Sequence, residues 1–105
     1  MSELNNINFF EQKNAFVEKN VHIRIQQRNG KKSITTIEGL DEKKIYLQDL
    51  LKYFKSNLHC NGNIENDAKF GKIIRLSGDN RKSVSEILIK EGLAQKENIK
   101  IHGDL

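Results

Sequence analysis

Between Val21 and Arg28 apolar and polar positions alternate: Val21, Ile23 and Ile25 on one side, His22, Arg24, Gln26 and Arg28 on the other. A period of two is that of a half-buried β-strand. Asn29 and Gly30 follow, a pair that tolerates the positive φ of a tight hairpin turn, and Ser33 to Ile37 has the β-branched residues of a returning strand. Ile34 and Ile37 stand three apart, so strict alternation fails there and predicts a bulge or an early strand end. The period then lengthens. Leu47, Leu50, Leu51, Phe54 and Leu58 fall at i, i+3, i+4, i+7 and i+11, the stripe of an amphipathic helix running from Glu42 to about His59 with Asp41 as its cap.

Asn61, Gly62 and Asn63 end that helix and open a short, weak strand near Ile64. A polar loop, Asn66 to Gly71, separates it from a strand over Lys72 to Ser77 centred on Ile73, Ile74 and Leu76. Asp79 is placed to cap a second helix reaching about Glu91, with Val84, Ile87, Leu88 and Glu91 in line and Gly92 positioned to end it. A last strand covers about Asn98 to His102. The order β-β-α-β-β-α-β predicts an α+β protein, a two-layer α/β plait with a mostly antiparallel five-stranded sheet and both helices on one face. Residues 1–20 show neither period and read as a flexible tail, whose Leu4, Ile7, Phe9, Phe10, Phe16 and Val17 can dock on a partner or pack on the chain's own domain. The folded domain is expected over residues 21–105.

A chain of 105 residues suits one domain, and 36% hydrophobic residues without tryptophan imply a thin core. No run approaches the roughly 18 apolar residues of a membrane span, and the N-terminus lacks a signal-peptide pattern, so a cytoplasmic protein with no membrane partner is expected. One cysteine, Cys60, excludes an internal disulfide and reads as a small buried hydrophobe after the first helix. His22, His59 and His102 lack metal-site spacing. The net charge of +4 is local: Val21 to Ile37 holds Arg24, Arg28, Lys31 and Lys32 and no acid.

Neither a G-x-x-x-x-G-K-[ST] nor a G-x-G-x-x-G phosphate loop occurs, nor a G-x-S-x-G elbow, and the carboxylates are not paired as acid and base. The residues therefore describe a binder with no catalytic residue, metal or cofactor. Its sharpest constellation is Arg28, Asn29, Gly30, Lys31 and Lys32, a cationic hairpin tip that can approach phosphates closely because glycine leaves the backbone bare. Arg24 and Gln26 extend the same surface. Lys43, Lys44, Lys52 and Lys55 lie on or near the polar side of the first helix, where they either add phosphate contacts or only solvate it.

Four blocks, HIRIQQRNGKKSITTIEG (22–39), CNGNI (60–64), FGKIIRLSGDNRK (70–82) and EGLAQKENIKIHG (91–103), together resemble the eukaryotic translation initiation factor 1 family. The resemblance covers essentially the whole folded part. It implies a plait that docks beside the P site of the small ribosomal subunit, promotes scanning and start-codon selection, and works with initiator tRNA and other initiation factors, as a monomer when free. The basic tip, Arg28 to Lys32, would touch ribosomal RNA, with Arg24, Lys52 and Lys55 as further rRNA contacts. The loop Asp67, Ala68, Lys69, Phe70 and Gly71 would face the initiator tRNA. Three departures stand out: Ala68 where the family commonly has proline, FKSNLHCNG (54–62) where it tends to place consecutive lysines, and an Asp104-Leu105 ending in place of phenylalanine. Two other readings remain: a protein-interaction adaptor of the initiation complex, and a same-fold bacterial, archaeal or recycling-factor relative.

Overall fold

The computed structural model describes residues 20–103 except 28, 29 and 31. The tail expected over 1–20, all but Asn20, lies outside the described residues, as do Arg28, Asn29, Lys31, Asp104 and Leu105. Five strands, β1 (Val21–Gln27), β2 (Ser33–Glu38), β3 (Gly62–Asp67), β4 (Gly71–Ser77) and β5 (Ile99–Ile101), and two helices, α1 (Leu47–Leu58) and α2 (Arg81–Lys90), follow in the expected order. The sheet order is β3-β4-β2-β1-β5, antiparallel except where β5 runs parallel to β1.

Register separates the two faces. Ile23 opposes Ile37, and Ile37 opposes Ile74, so these side chains share one face of the sheet. On that face they form one core with Leu50, Leu51 and Phe54 of α1 and Val84 and Leu88 of α2. Each such side chain contributes about 1.5–3 kcal/mol on leaving water. Among the described residues no helix lies over the opposite face, which carries His22, Arg24, Thr36, Glu38, Asn63, Glu65 and Arg75.

The break of alternation in β2 produces no bulge. Pairing with β1 is continuous from Gln27↔Ser33 to His22↔Glu38, and β2 is the central strand, covered on both edges. Ile34 simply lies half-buried on the open face. Thr35 is fully buried, its hydroxyl donating to Gly78 O (2.7 Å) and accepting from Asn80 N (2.8 Å), which ties the β4–α2 connection to the central strand.

The first helix begins with its apolar stripe at Leu47, five residues later than Asp41 as a cap suggested. Asp41 does cap, but only an isolated turn: its side chain accepts from Lys43 N (2.9 Å) and its carbonyl from Lys44 N (3.0 Å) and Ile45 N (2.9 Å). Ile45 is then buried and Tyr46 is extended (φ −78°, ψ 94°), so the helix restarts at Leu47. α2 starts two residues after Asp79, whose carboxylate accepts from Arg81 N (3.4 Å) and, more closely, from the Arg81 guanidinium (Nε and Nη2 both 2.8 Å). β3 is longer than expected, six residues, and takes Asn66 and Asp67 from the polar loop, while β4 takes Gly71. Cys60 is half-buried against the core rather than fully buried, and burial pushes its thiol pKa up.

Candidate nucleic-acid interface

The chain direction places the two loops of interest at opposite ends of the sheet. β1 climbs toward Gly30, β2 descends, and β4 climbs again, so the β3–β4 turn lies at the foot. Counting from Ser33, level with Gly78, down to Gly71 gives seven strand steps of about 3.3 Å, roughly 23 Å between the bases of the two turns.

At the upper turn Gly30 adopts φ +62° and the Gln27 side-chain amide donates to its carbonyl. Lys32 is exposed. At the lower turn the Asp67 carboxylate accepts from Lys69 N (2.7 Å) and Phe70 N (3.0 Å), while Gly71 takes φ +78° opposite Asp67. A three-residue loop closed by a left-handed glycine matches the right-handed strand twist. Phe70 projects, 45% exposed, with Lys69 Nζ 5.5 Å from its ring centre. The turn thus owes its shape to a carboxylate, in the place where Ala68 omits a proline ring.

Those two backbone N–H groups hold the Asp67 carboxyl below its ordinary pKa, the Phe70 bond contributing most. A depressed carboxylate pKa contributes order that is present above the ordinary value and lost as pH falls through the depressed one. On acidification from neutral pH to about 2, the Lys69 and Phe70 amide NMR signals should therefore move together, with a midpoint below the usual Asp value of about 3.9. A midpoint at or above that value would contradict the turn geometry.

The remaining candidates do not form one flat patch. Arg24 lies on the open sheet face, and its Nε donates to Glu38 Oε1 at 3.2 Å, so its charge is partly spent within the fold. Lys52 and Lys55 are exposed on α1, in the layer across the sheet from Arg24. Only Gly30 and Lys32, of the described hairpin residues, share the tip.

Sequence reading missed a histidine pair. His22 Nδ1 and His102 Nε2 are 3.0 Å apart while the ring centres are 5.3 Å apart and the planes 27° from parallel, so the rings meet edge to edge. At that distance one ring nitrogen donates and the other accepts, the roles following the tautomer. Arg81 Nη1 donates to the His102 carbonyl (2.8 Å), tying α2 to the end of β5. A separation of 80 positions along the chain gave no local pattern to find. Among the described residues no group of three or more His, Cys, Asp or Glu could hold a metal, and no helix is long and apolar enough to cross a membrane.

The described residues form a two-layer α+β plait with Lys32 exposed beside the left-handed Gly30 at one end of the sheet and a turn closed by Asp67 at the other. Residues 17–94 match the family described as translation initiation factor SUI1, and this chain belongs to that family, the eukaryotic translation initiation factor 1 family. It is 47% identical over 93 residues to protein translation factor SUI1 homolog 1 of Arabidopsis thaliana, covering 89% of this chain and 81% of the relative. A SUI1 homolog of Spuriopimpinella brachycarpa is 50% identical over 82 residues, 78% of this chain and 72% of that one. In structure it is similar to the C-terminal domain of human eIF2D, with a TM-score of 0.69 over 77% of this chain and 41% of that one; at 14% identity this likeness concerns the fold alone. The family is one of translation initiation factors rather than of enzymes.

Proposed function

We propose that this chain binds the small ribosomal subunit near the P site and governs start-codon selection. Its basic hairpin sits on ribosomal RNA phosphate, and the Asp67–Gly71 turn hinders full seating of initiator tRNA until the codon is matched. The supporting observation is the placement of these loops at opposite ends of one hydrogen-bonded sheet, one tip cationic and the other a turn held by Asp67 with Phe70 projecting. A rigid sheet lets an anchor at one end fix the position of an obstacle at the other. Lys52 and Lys55 on α1 offer further phosphate contacts, whereas Arg24, paired with Glu38, adds less.

One reconstituted assay tests both loops. Labelled chain is titrated with purified small subunits, no other factor present, across a range of salt. Replacing Lys31 and Lys32 together by glutamate should weaken binding and flatten the slope of log affinity on log salt by about 1.4–1.8, from about 0.7–0.9 per phosphate contact. Unchanged affinity and slope would reject the anchor. Failure of the unaltered chain to bind bare subunits would favour the adaptor reading. In the same system Asp67→Ala should raise initiation at near-cognate codons about 2- to 10-fold, because the turn loses the carboxylate that accepts from Lys69 N and Phe70 N. An unaltered near-cognate rate would remove the turn from the mechanism.

A further inference from the structure

We infer that the outer edge of β3, with the socket beside it, is a docking site for an extended segment of a partner protein carrying an apolar residue and, two positions along, a lysine or arginine. β3 is the outermost strand on its side and is six residues long, against three in the opposite edge strand β5. Ser77 N donates to Asn61 O (2.9 Å), and Gly62 opposes Leu76. In an antiparallel ladder that phase turns the backbone groups of Asn63 and Glu65 toward β4 and those of Gly62, Ile64 and Asn66 outward. Among the described residues, no backbone hydrogen bond from outside the sheet reaches those three.

Natural edges are blunted by proline, lysine, bulges or covering loops, because an open row of N–H and C=O groups recruits another strand. β3, GNIEND, has neither lysine nor proline, and its register with β4 runs without a bulge from Gly62↔Leu76 to Asp67↔Gly71. Its two charges are engaged within the fold, Glu65 with Arg75 at 3.5 Å and Asp67 with the backbone of its own turn, so an edge of this length is suited to strand addition, in which main-chain bonds supply affinity and pockets for alternate side chains supply selectivity.

Such a pocket adjoins it. A cavity of about 350 Å³ lies on the helix side of Ile64, walled by Ile45, Leu47 and Tyr46, the last 45% exposed. Two carboxylates and one lysine, Lys72, line it. Glu42 is engaged by Lys72 Nζ at 3.7 Å, but Asp49 makes no ion pair with any described residue. Side chains two apart on a strand share a face at a spacing of about 6.6 Å. A segment that seats an apolar side chain in the socket therefore brings its next same-side residue toward the rim, where Asp49 favours a cation. This local acidity runs against the basic character of the chain as a whole and disfavours a nucleic acid at this edge. The site uses none of the cationic hairpin, so it stands or falls apart from the ribosome reading.

The full chain can be used as bait for a phage-displayed library of random heptapeptides, and the enriched peptide titrated into 15N-labelled protein. Enrichment of an apolar–any–basic pattern is expected, with amide shifts concentrated at Gly62, Ile64 and Asn66. Asp49→Lys, on an exposed helix position, should weaken binding about three- to tenfold. Asn66→Pro removes an outward N–H while leaving the β3–β4 ladder its bonds, and should weaken it at least as much, with a melting curve to show that the variant folds. The inference is overturned if no sequence is enriched, if the peptides bind Asp49→Lys and Asn66→Pro equally well, or if shifts map elsewhere. It is also overturned if light scattering shows a dimer that Asn66→Pro dissolves, which would make a second copy of this chain the occupant.

Discussion

Replacing Phe54 by alanine is expected to remove about 3–5 kcal/mol from the free energy of unfolding. Phe54 is fully buried, on the α1 stripe that faces β3 and β4, and it belongs to the one core that both helices share with the sheet. Alanine would forfeit the transfer energy of the ring and leave a cavity that neighbours held by the β-ladder cannot fill by collapse. Total stabilities of natural domains are about 5–15 kcal/mol, so this one change takes roughly a fifth or more of what holds the fold. With a urea dependence of about 1–3 kcal/mol per molar, the denaturation midpoint should fall by more than about 1 M, read by circular dichroism. A fall equivalent to less than about 1 kcal/mol would show that the core does not rest on this ring.

The second large effect is expected at Gly39, where β2 ends beside the start of β1. Its φ is +96°, and a Cβ added there would lie 2.4 Å from Asn20 O and 3.3 Å from Val21 Cα. Backbone cannot swing aside as a side-chain tip can, so Gly39→Ala must both strain its own dihedral and push β1 from β2. About 1–3 kcal/mol is the cost of a disfavoured backbone region, and overpacking adds about 1–3, for a loss of roughly 2–6 kcal/mol. Gly30→Ala is the internal control. Gly30 also has positive φ, +62°, but its Cβ would meet nothing within 4 Å, so only a left-handed penalty of about 1–2 kcal/mol applies. Equal midpoints for the two variants would refute the steric part of this account.

Elements with strong periodicity were legible in the sequence, and element ends were not. Val21, Ile23 and Ile25 state the face of β1 outright, and Leu47 to Leu58 state that of α1. The start of α1 was misjudged because Asp41 has the chemistry of a cap wherever a turn follows. What stops the helix from extending back to it is the burial of Ile45, a tertiary demand that no local pattern announces. Gly92 ends α2 at φ +73° as its position suggested. The full length of β3 was hidden because Asn63, Glu65, Asn66 and Asp67 are poor strand formers, held in place by pairing with β4. At the candidate interface the basic tip was visible as charge. The internal neutralisation of Arg24 by Glu38 was not, since it depends on register across a hairpin. The histidine pair joins two ends of the chain and had no signature at all.

That junction of distant ends bears on the order in which the molecule can be made. β5 contributes only three pairs, Val21↔Ile99 to Ile23↔Ile101, supplemented by the bond from His102 N to Ile23 O at 2.8 Å. Contacts between positions so remote are entropically the dearest to close and reward the chain last. During synthesis β1 emerges early and can zip with β2 at once, yet its other flank stays unzipped until residues 99–102 have left the ribosome. Every nascent copy thus passes through an interval in which its first strand is half dressed, with Val21 and Ile23 guarded on one side only.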